Sequence, residues 1–196
     1  FAYGISSDYS FLIPKYSLTL NHELTSYSCL TTLVQLSMDV IGDINPISYD
    51  FGISVIKNVI KAAEELKKDP NNLKARGIIL YSASISTSEL ISIQKKVDFS
   101  NDFYYLEIIL ELLLNTTYRK ALTSLFPYYM KHIAKLHESV VKTFFSDAFS
   151  FNGSIDDSIN ELINFFNGFG IDLYFHENYS EEKLLQIQNN TSLKHE

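Results

Sequence analysis

The sequence predicts an all-α fold, a helical bundle with a short extended segment near its start, on three observations. Only seven glycines and four prolines punctuate 196 residues. Between them, most of the chain repeats its apolar positions every three or four residues, the period of an amphipathic helix, and nowhere sustains the strict alternation of a half-buried strand. The breaks themselves carry the chemistry of helix ends, with Ser, Asp or Asn ahead of a stripe and Gly or Pro behind it.

The lead-in, residues 1–22, passes through FLIPKYSLTL, where a proline sits among β-branched and aromatic residues. It is expected to be extended, with at most a short strand near Ile13 to Leu20. The helical domain then fills residues 23–190. A first helix runs from Leu24 to about Ile44, and DINP stops it because the residue before a proline disfavours α geometry. In SYDFGISVIKNVIKAAEELKKDP, Ile53, Ile56, Val59, Ile60, Ala63 and Leu66 make one stripe, with Lys57, Lys61, Glu64 and Glu65 opposite. Ser48 or Asp50 suits its N-cap, Lys67 and Lys68 suit the negative end of its dipole, and Pro70 follows.

A central helix from Leu73 to about Gln94 is expected next, its Ser82, Ala83, Ser84, Ser86 and Ser88 small enough for neighbouring backbones to come close. Phe103 to Leu114 reads as a buried helix. Two or three shorter helices follow in YRKALTSLFPYYMKHIAKLHESVVKTFFSDAF, where Pro127 kinks a helix or falls near its start. In GSIDDSINELINFFNGFGI, Ser154 with Asp157 three residues on announces a cap, Ile155, Ile159, Leu162, Ile163 and Phe166 form the stripe, and Gly168 is the stop. A short last helix around Ser180 to Gln188 precedes a polar tail, 191–196. No repeat of fixed period is present.

Composition narrows the function classes. Hydrophobic residues make up 46% and charged residues 20%, enough to build one sizeable core. A formal net charge of −7, with the basic residues scattered as pairs, argues against nucleic acid as a partner. The most apolar window is broken by Glu107 and Glu111 and is shorter than the roughly 20 residues a membrane span needs, so no membrane partner is expected. The single cysteine, Cys29, makes neither an internal disulfide nor a zinc motif, which fits a reducing, cytoplasmic setting. The chain opens on Phe1 rather than Met, so it is read as starting partway into a longer protein.

One stretch carries ligand spacing. LSMDVIGDI sets Asp39 and Asp43 four residues apart, and on a helix both would leave one face a turn apart. A metal reading needs two more ligands; a weak, oxygen-only magnesium or calcium site would need several converging carboxylates or carbonyls. The plainer reading is two acids partly neutralised by Arg119 or Lys120. Other pairs read plainly too. His132 and His137 are five apart, about 140° around a helix, and share no face. Phe126, Tyr128 and Tyr129 beside Pro127 suggest packing. Glu107 and Glu111 mark the solvated side of their helix.

The order of these features resembles the C-terminal helical domain of iron-containing alcohol dehydrogenases, from about Pro14 to Gln188. PKYSLTLNHELTS resembles that family's strand and the opening of its first helix, MDVIGD its Asp-x-x-x-His motif, and LFPYYMKH the segment after its last metal histidine. SINELINFFNGFGIDLYFHE resembles its late helix and loop. The resemblance implies a dehydroquinate synthase-like, iron-alcohol-dehydrogenase-like domain whose iron or zinc is held by one Asp and three His. Asp39 matches the Asp, while the three His positions fall on Asp43, Tyr104 and Tyr118. No histidine occurs between His22 and His132, and the glycine after the last metal histidine is replaced by Arg119.

The resemblance implies an ancestral NAD(P)-dependent oxidoreduction of alcohols and aldehydes, with a nucleotide-binding domain on the N-terminal side of this one and a homo-oligomer as the assembly. With the metal histidines replaced and the glycine-rich phosphate loop outside this chain, no catalytic residue, metal or nucleotide is expected here, and the chain by itself is expected to be a pseudoenzyme. The alternative is a non-enzymatic helical interaction module.

Overall fold

The computed structural model describes residues 9–88, 90–93, 95–175 and 180–191. Seven α-helices and two short strands follow a 3-10 turn: α1 His22–Val40, β1 Gly42–Asp43, α2 Pro46–Lys68, α3 Leu73–Ser86, β2 Val97–Asp98, α4 Ser100–Leu114, α5 Tyr118–Phe149, α6 Ile155–Asn167 and α7 Glu181–Thr191. The all-α expectation holds. The tail at 192–196 and the first eight residues of the lead-in lie outside the described residues.

α1 is the axis of the bundle, packed by α2, α3 and α5. Leu30, Leu33, Val34, Leu36, Met38 and Val40 are buried on nearly all sides of it, and a helix enclosed this way loses the one-sided pattern of a surface helix. Its hydroxyls tolerate that burial by bonding backwards along the helix. Ser28 donates to the Leu24 carbonyl, Thr32 to Ser28 and Ser37 to Leu33, at 2.7 to 2.8 Å. Asn21 caps the start, its side-chain oxygen accepting from the Leu24 N–H at 2.8 Å.

α1 stops at Val40, four residues before the expected Ile44. The reason is tertiary. Gly42, at φ +141°, turns the chain so that β1 pairs antiparallel with β2, Gly42 facing Asp98 and Asp43 facing Val97. A Cβ on Gly42 would lie 2.0 Å from the Val97 carbonyl oxygen, so the bridge demands glycine. Pro46 then starts a helix as well as barring the previous one, because its fixed φ suits the first helical position. The cap of α2 is Asn45, which accepts from the Ile47 N–H at 2.9 Å, and not Ser48 or Asp50. Gly52 lets α2 lie against Val40.

The lead-in corrects the sequence reading. Pro14–Thr19 is a 3-10 helix rather than a strand, with Pro14 at its start and Ser17 Oγ donating to the Pro14 carbonyl at 2.7 Å. Arg76 of α3 fixes it by donating from Nη1 to the Ser17 carbonyl at 2.6 Å, a long-range contact that overrides β propensity. α3 ends at Ser86, well short of Gln94, which itself lies outside the described residues. Ser84, Ser86, Thr87 and Ser88 all donate to carbonyls three residues back and compete with the helical ladder.

The Phe103–Phe149 region forms α4, a left-handed Asn115 (φ 49°), and α5. α5 runs through Pro127 and breaks its helical geometry instead at His137 (φ −131°, ψ 46°), whose ring lies 5.1 Å from that of Phe99. α6 has the capping box expected of it: Ser154 Oγ accepts from the Asp157 N–H, and the Asp157 carboxylate accepts from the Ser154 N–H. Gly168 is its C-cap. α7 packs on α4. No helix among the described residues is long and apolar enough to cross a membrane.

Candidate functional site

A cleft of about 390 Å³ opens between α1, α3, the start of α5 and the 3-10 turn. α1 contributes Thr31 and Gln35, one turn apart on one face. α3 contributes Arg76 and Ala83, and α5 contributes Tyr118 and Arg119. Gln35 joins two walls: its amide nitrogen donates to Tyr118 Oη at 3.0 Å, and its carbonyl oxygen accepts from Ser86 Oγ at 3.3 Å. The Oγ1 of Thr31 is buried without a hydrogen-bond partner among the described residues.

The expected ligand positions are divided by this geometry. Tyr104, on α4, is held well above the ordinary phenol range, first by burial and then by the charges of Asp39 and Tyr118 around it. Asp39, Tyr104 and Tyr118 therefore share one neighbourhood. Asp43 does not share a helical face with Asp39, because α1 has already ended; it is exposed in β1, and its carbonyl accepts the Lys96 N–H at 2.8 Å. Of the four positions, only Tyr118 lines the cleft. Lys120 is not aimed at the aspartates either: its ammonium donates to the Asp172 carbonyl, and burial lowers its pKa.

Glu107 corrects a second expectation. Its side belongs to the interior, since α5 and α7 both pack on α4. It is only 2% exposed, and its Oε1 has no hydrogen-bond partner among the described residues. Burial, then the neighbouring Glu111 carboxylate, pushes its carboxyl up to about 7. Both acids also raise the Tyr118 phenol, after burial; the Gln35 hydrogen bond works the other way. The α4 end of the neighbourhood is thus acidic, and the α3 end is basic.

Arg76 was missed by sequence reasoning. It is 4% exposed, and its donors reach neutral acceptors: Nε to the Pro70 carbonyl at 2.7 Å, Nη1 to the Ser17 carbonyl at 2.6 Å and Nη2 to Thr25 Oγ1 at 3.3 Å. The available signal was its place between Ala75 and the apolar run GIIL. Gln35 and Thr31 were missed because they repeat the four-residue spacing of the aspartates two turns earlier, with neutral side chains. Cys29 also lines the cleft, but burial pushes its thiol up to about 12, too high for a nucleophile at neutral pH.

The donor set does not fit iron or zinc. The neighbourhood offers a hydroxyl, a carboxamide and two phenols with strengthened hold on their protons, whereas iron and zinc take imidazoles, thiolates and carboxylates. Among the described residues no group of three His, Cys, Asp or Glu is placed to hold a cation.

Solved structures place the architecture. NADH-dependent butanol dehydrogenase A from Thermotoga maritima superposes with a TM-score of 0.79 at 21% identity, over 91% of this chain and 46% of that one. The fold is that of the helical half of an iron-containing alcohol dehydrogenase. An iron-containing alcohol dehydrogenase from Thermotoga maritima matches at TM-score 0.69 and 18% identity, over 92% of this chain and 45% of that one. Maleylacetate reductase from Rhizobium sp. matches at TM-score 0.72 and 16% identity, over 91% and 49%. The chain spans less than half the length of these dehydrogenase-fold structures. No family model matches the sequence, and no curated protein matches it significantly.

Proposed function

We propose that this chain is the ligand-facing helical half of an alcohol-dehydrogenase-like protein that has given up metal-assisted hydride chemistry. The observation that carries this reading is the 3.0 Å hydrogen bond from Gln35 to Tyr118. Tyr118 stands where the resembling family has its last metal histidine, and its phenol oxygen accepts the Gln35 amide. The pair four residues apart that faces it is Thr31 and Gln35, so these two, with Tyr104 and Tyr118, are the remnant of the cation site, and Asp39 flanks it one turn further on. In the resembling enzymes a metal polarises the alcohol or carbonyl oxygen while a nicotinamide exchanges hydride. This donor set does not support the metal's part in that step. A nucleotide-binding domain of the same protein would close the cleft, in a cytoplasmic homo-oligomer.

Elemental analysis after purification without chelator, with calorimetric titration of NAD and NADP, tests the reading. Substoichiometric iron and zinc and no nucleotide heat are expected. One equivalent of tightly held metal would overturn it. A second reading, a helical interaction module, draws on Tyr105, Ile108 and Leu112, which expose one apolar stripe of α4. Sedimentation of Ile108→Asp checks it, since a self-associating module loses its oligomer in that variant.

A further inference from the structure

The aromatic packing of α5 and α6 is left open at one margin. Phe149 and Phe151 stack with ring centroids 5.2 Å apart, and the Phe165 ring meets that of Phe149 edge-on at 5.9 Å. All three side chains are only half-buried. With Ile60 of α2 they line a pocket of about 350 Å³, in the range of small-molecule sites. Its walls are fixed before any ligand arrives. Ser150, at φ 63°, takes the left-handed turn that ends α5, and the Phe151 N–H donates to the Phe145 carbonyl at 3.1 Å. That turn sets Phe151 beside Phe149. Tyr49 Oη donates to the Asp147 carboxylate at 2.9 Å and ties α2 to α5. The capping box at Ser154 fixes the start of α6, the helix that carries Phe165.

One charge stands on this wall. Lys57, exposed on α2 three residues before Ile60, lines the pocket, and among the described residues it makes no ion pair. No carboxylate lines the pocket among the described residues, and Asp147, the nearest acid along α5, accepts the Tyr49 hydroxyl. We propose that this pocket binds an aromatic monocarboxylate, its ring against Phe149, Phe151 and Phe165 and its carboxylate at the Lys57 ammonium. Stacked and edge-on phenyl rings offer a flat aromatic body the offset and edge contacts that aromatic pairs prefer. A compact ammonium at the rim of an apolar concavity favours an anion and repels a cation. The protein as a whole carries −7 and does the reverse. A preference for the anion therefore has a local source. The pocket shares no lining residue with the cleft between α1, α3 and α5, so it stands apart from the lost metal chemistry.

The chain contains no tryptophan, so an indole ligand reports its own burial. Indole-3-propionate, titrated with the purified chain and excited on the red side of tyrosine absorption, should show a saturable blue shift of its emission. Tryptamine, the same ring carrying an ammonium, should bind about fivefold or more weakly. Lys57→Glu turns attraction into repulsion and should weaken indole-3-propionate by about tenfold, while Lys57→Arg should retain it. Lys68→Glu makes the same change in net charge about 16 Å further along α2, beyond the screening length of about 8 Å in physiological salt, and should leave the affinity in place. Both lysines are exposed, and unchanged melting temperatures check that the variants fold alike. No saturable shift with the wild-type chain, tryptamine binding as tightly as indole-3-propionate, or equal affinities in the two Glu variants would overturn the site.

Discussion

Two buried regions of this molecule are built on opposite principles. In one, α5, α6 and the residues just after them interleave Phe144, Phe145, Phe149, Phe151, Phe165, Phe166 and Phe169, with neighbouring rings 5.1 to 6.2 Å apart. In the other, the cleft and its surroundings bury Arg76, Thr32 and Glu107 among the helices. The aromatic end gains stability from area and dispersion, which are non-directional and forgiving of register. The cleft pays a desolvation cost at every polar group and recovers it only where a partner stands in the right place. Among the described residues, Thr31 Oγ1 and Glu107 Oε1 are buried without a hydrogen-bond partner. The difference teaches where stability and where polar ligand contact are stored.

The largest expected effect tests the aromatic end. Phe166 is fully buried, its ring stacked 6.3 Å from that of Phe126 and tilted against that of Phe165 at 6.1 Å. Phe166→Ala should cost about 3–5 kcal/mol in urea unfolding, as transfer and cavity terms add. A loss below about 1 kcal/mol would show a loosely packed end and break the contrast.

The next effect comes from the acidic side. The Glu107 carboxyl is raised to about 7 in the folded protein against an ordinary 4.5, so between those values the folded state holds the proton more often than the unfolded chain. Stability is then full below about pH 4.5 and falls as pH rises toward 7, by no more than about 3 kcal/mol for the single group. Unfolding measured at pH 5 and pH 8 should show that fall, and Glu107→Gln should flatten it. A wild-type protein that gains stability over this window would place Glu107 in water or beside a cation.

The smallest effect concerns the cleft's own bridge. Tyr118→Phe removes the phenol that Gln35 contacts and keeps the ring, so a loss of about 1 kcal/mol is expected. The same variant should leave the pH dependence of Glu107 in place. A loss as large as that of Phe166→Ala would mean that the bridge holds the fold, and the division between a stabilising end and a ligand-facing cleft would not stand.

The helix content and the details of α6 were legible because their causes are local. Ser154, Asp157 and Gly168 act within one or two turns of where they sit, and the aliphatic stripe of α2 needs only its own periodicity. Where local causes compete, reading failed. PKYSLT has the composition of a strand and forms a 3-10 turn, and the serines of α3 shorten the helix they were expected to fill. Pro127 marks a break that moved to His137.

What the sequence alone determined about this protein is an all-α chain, its main helices, and the absence of histidine between His22 and His132. Only the tertiary structure decided which residues meet. Gln35 and Tyr118 are 83 residues apart in sequence, Gln35 and Ser86 are 51 apart, and Arg76 reaches back 59 residues to the Ser17 carbonyl. No local pattern encodes such pairings, because each depends on the angle at which two helices cross and on how many turns α1 completes before Gly42. The end of α1 at Val40 and the turn at Gly42 send Asp43 into a strand and away from the helical face of Asp39. Helix propensity is summed over neighbours in the chain, whereas a polar cleft is settled by neighbours in space.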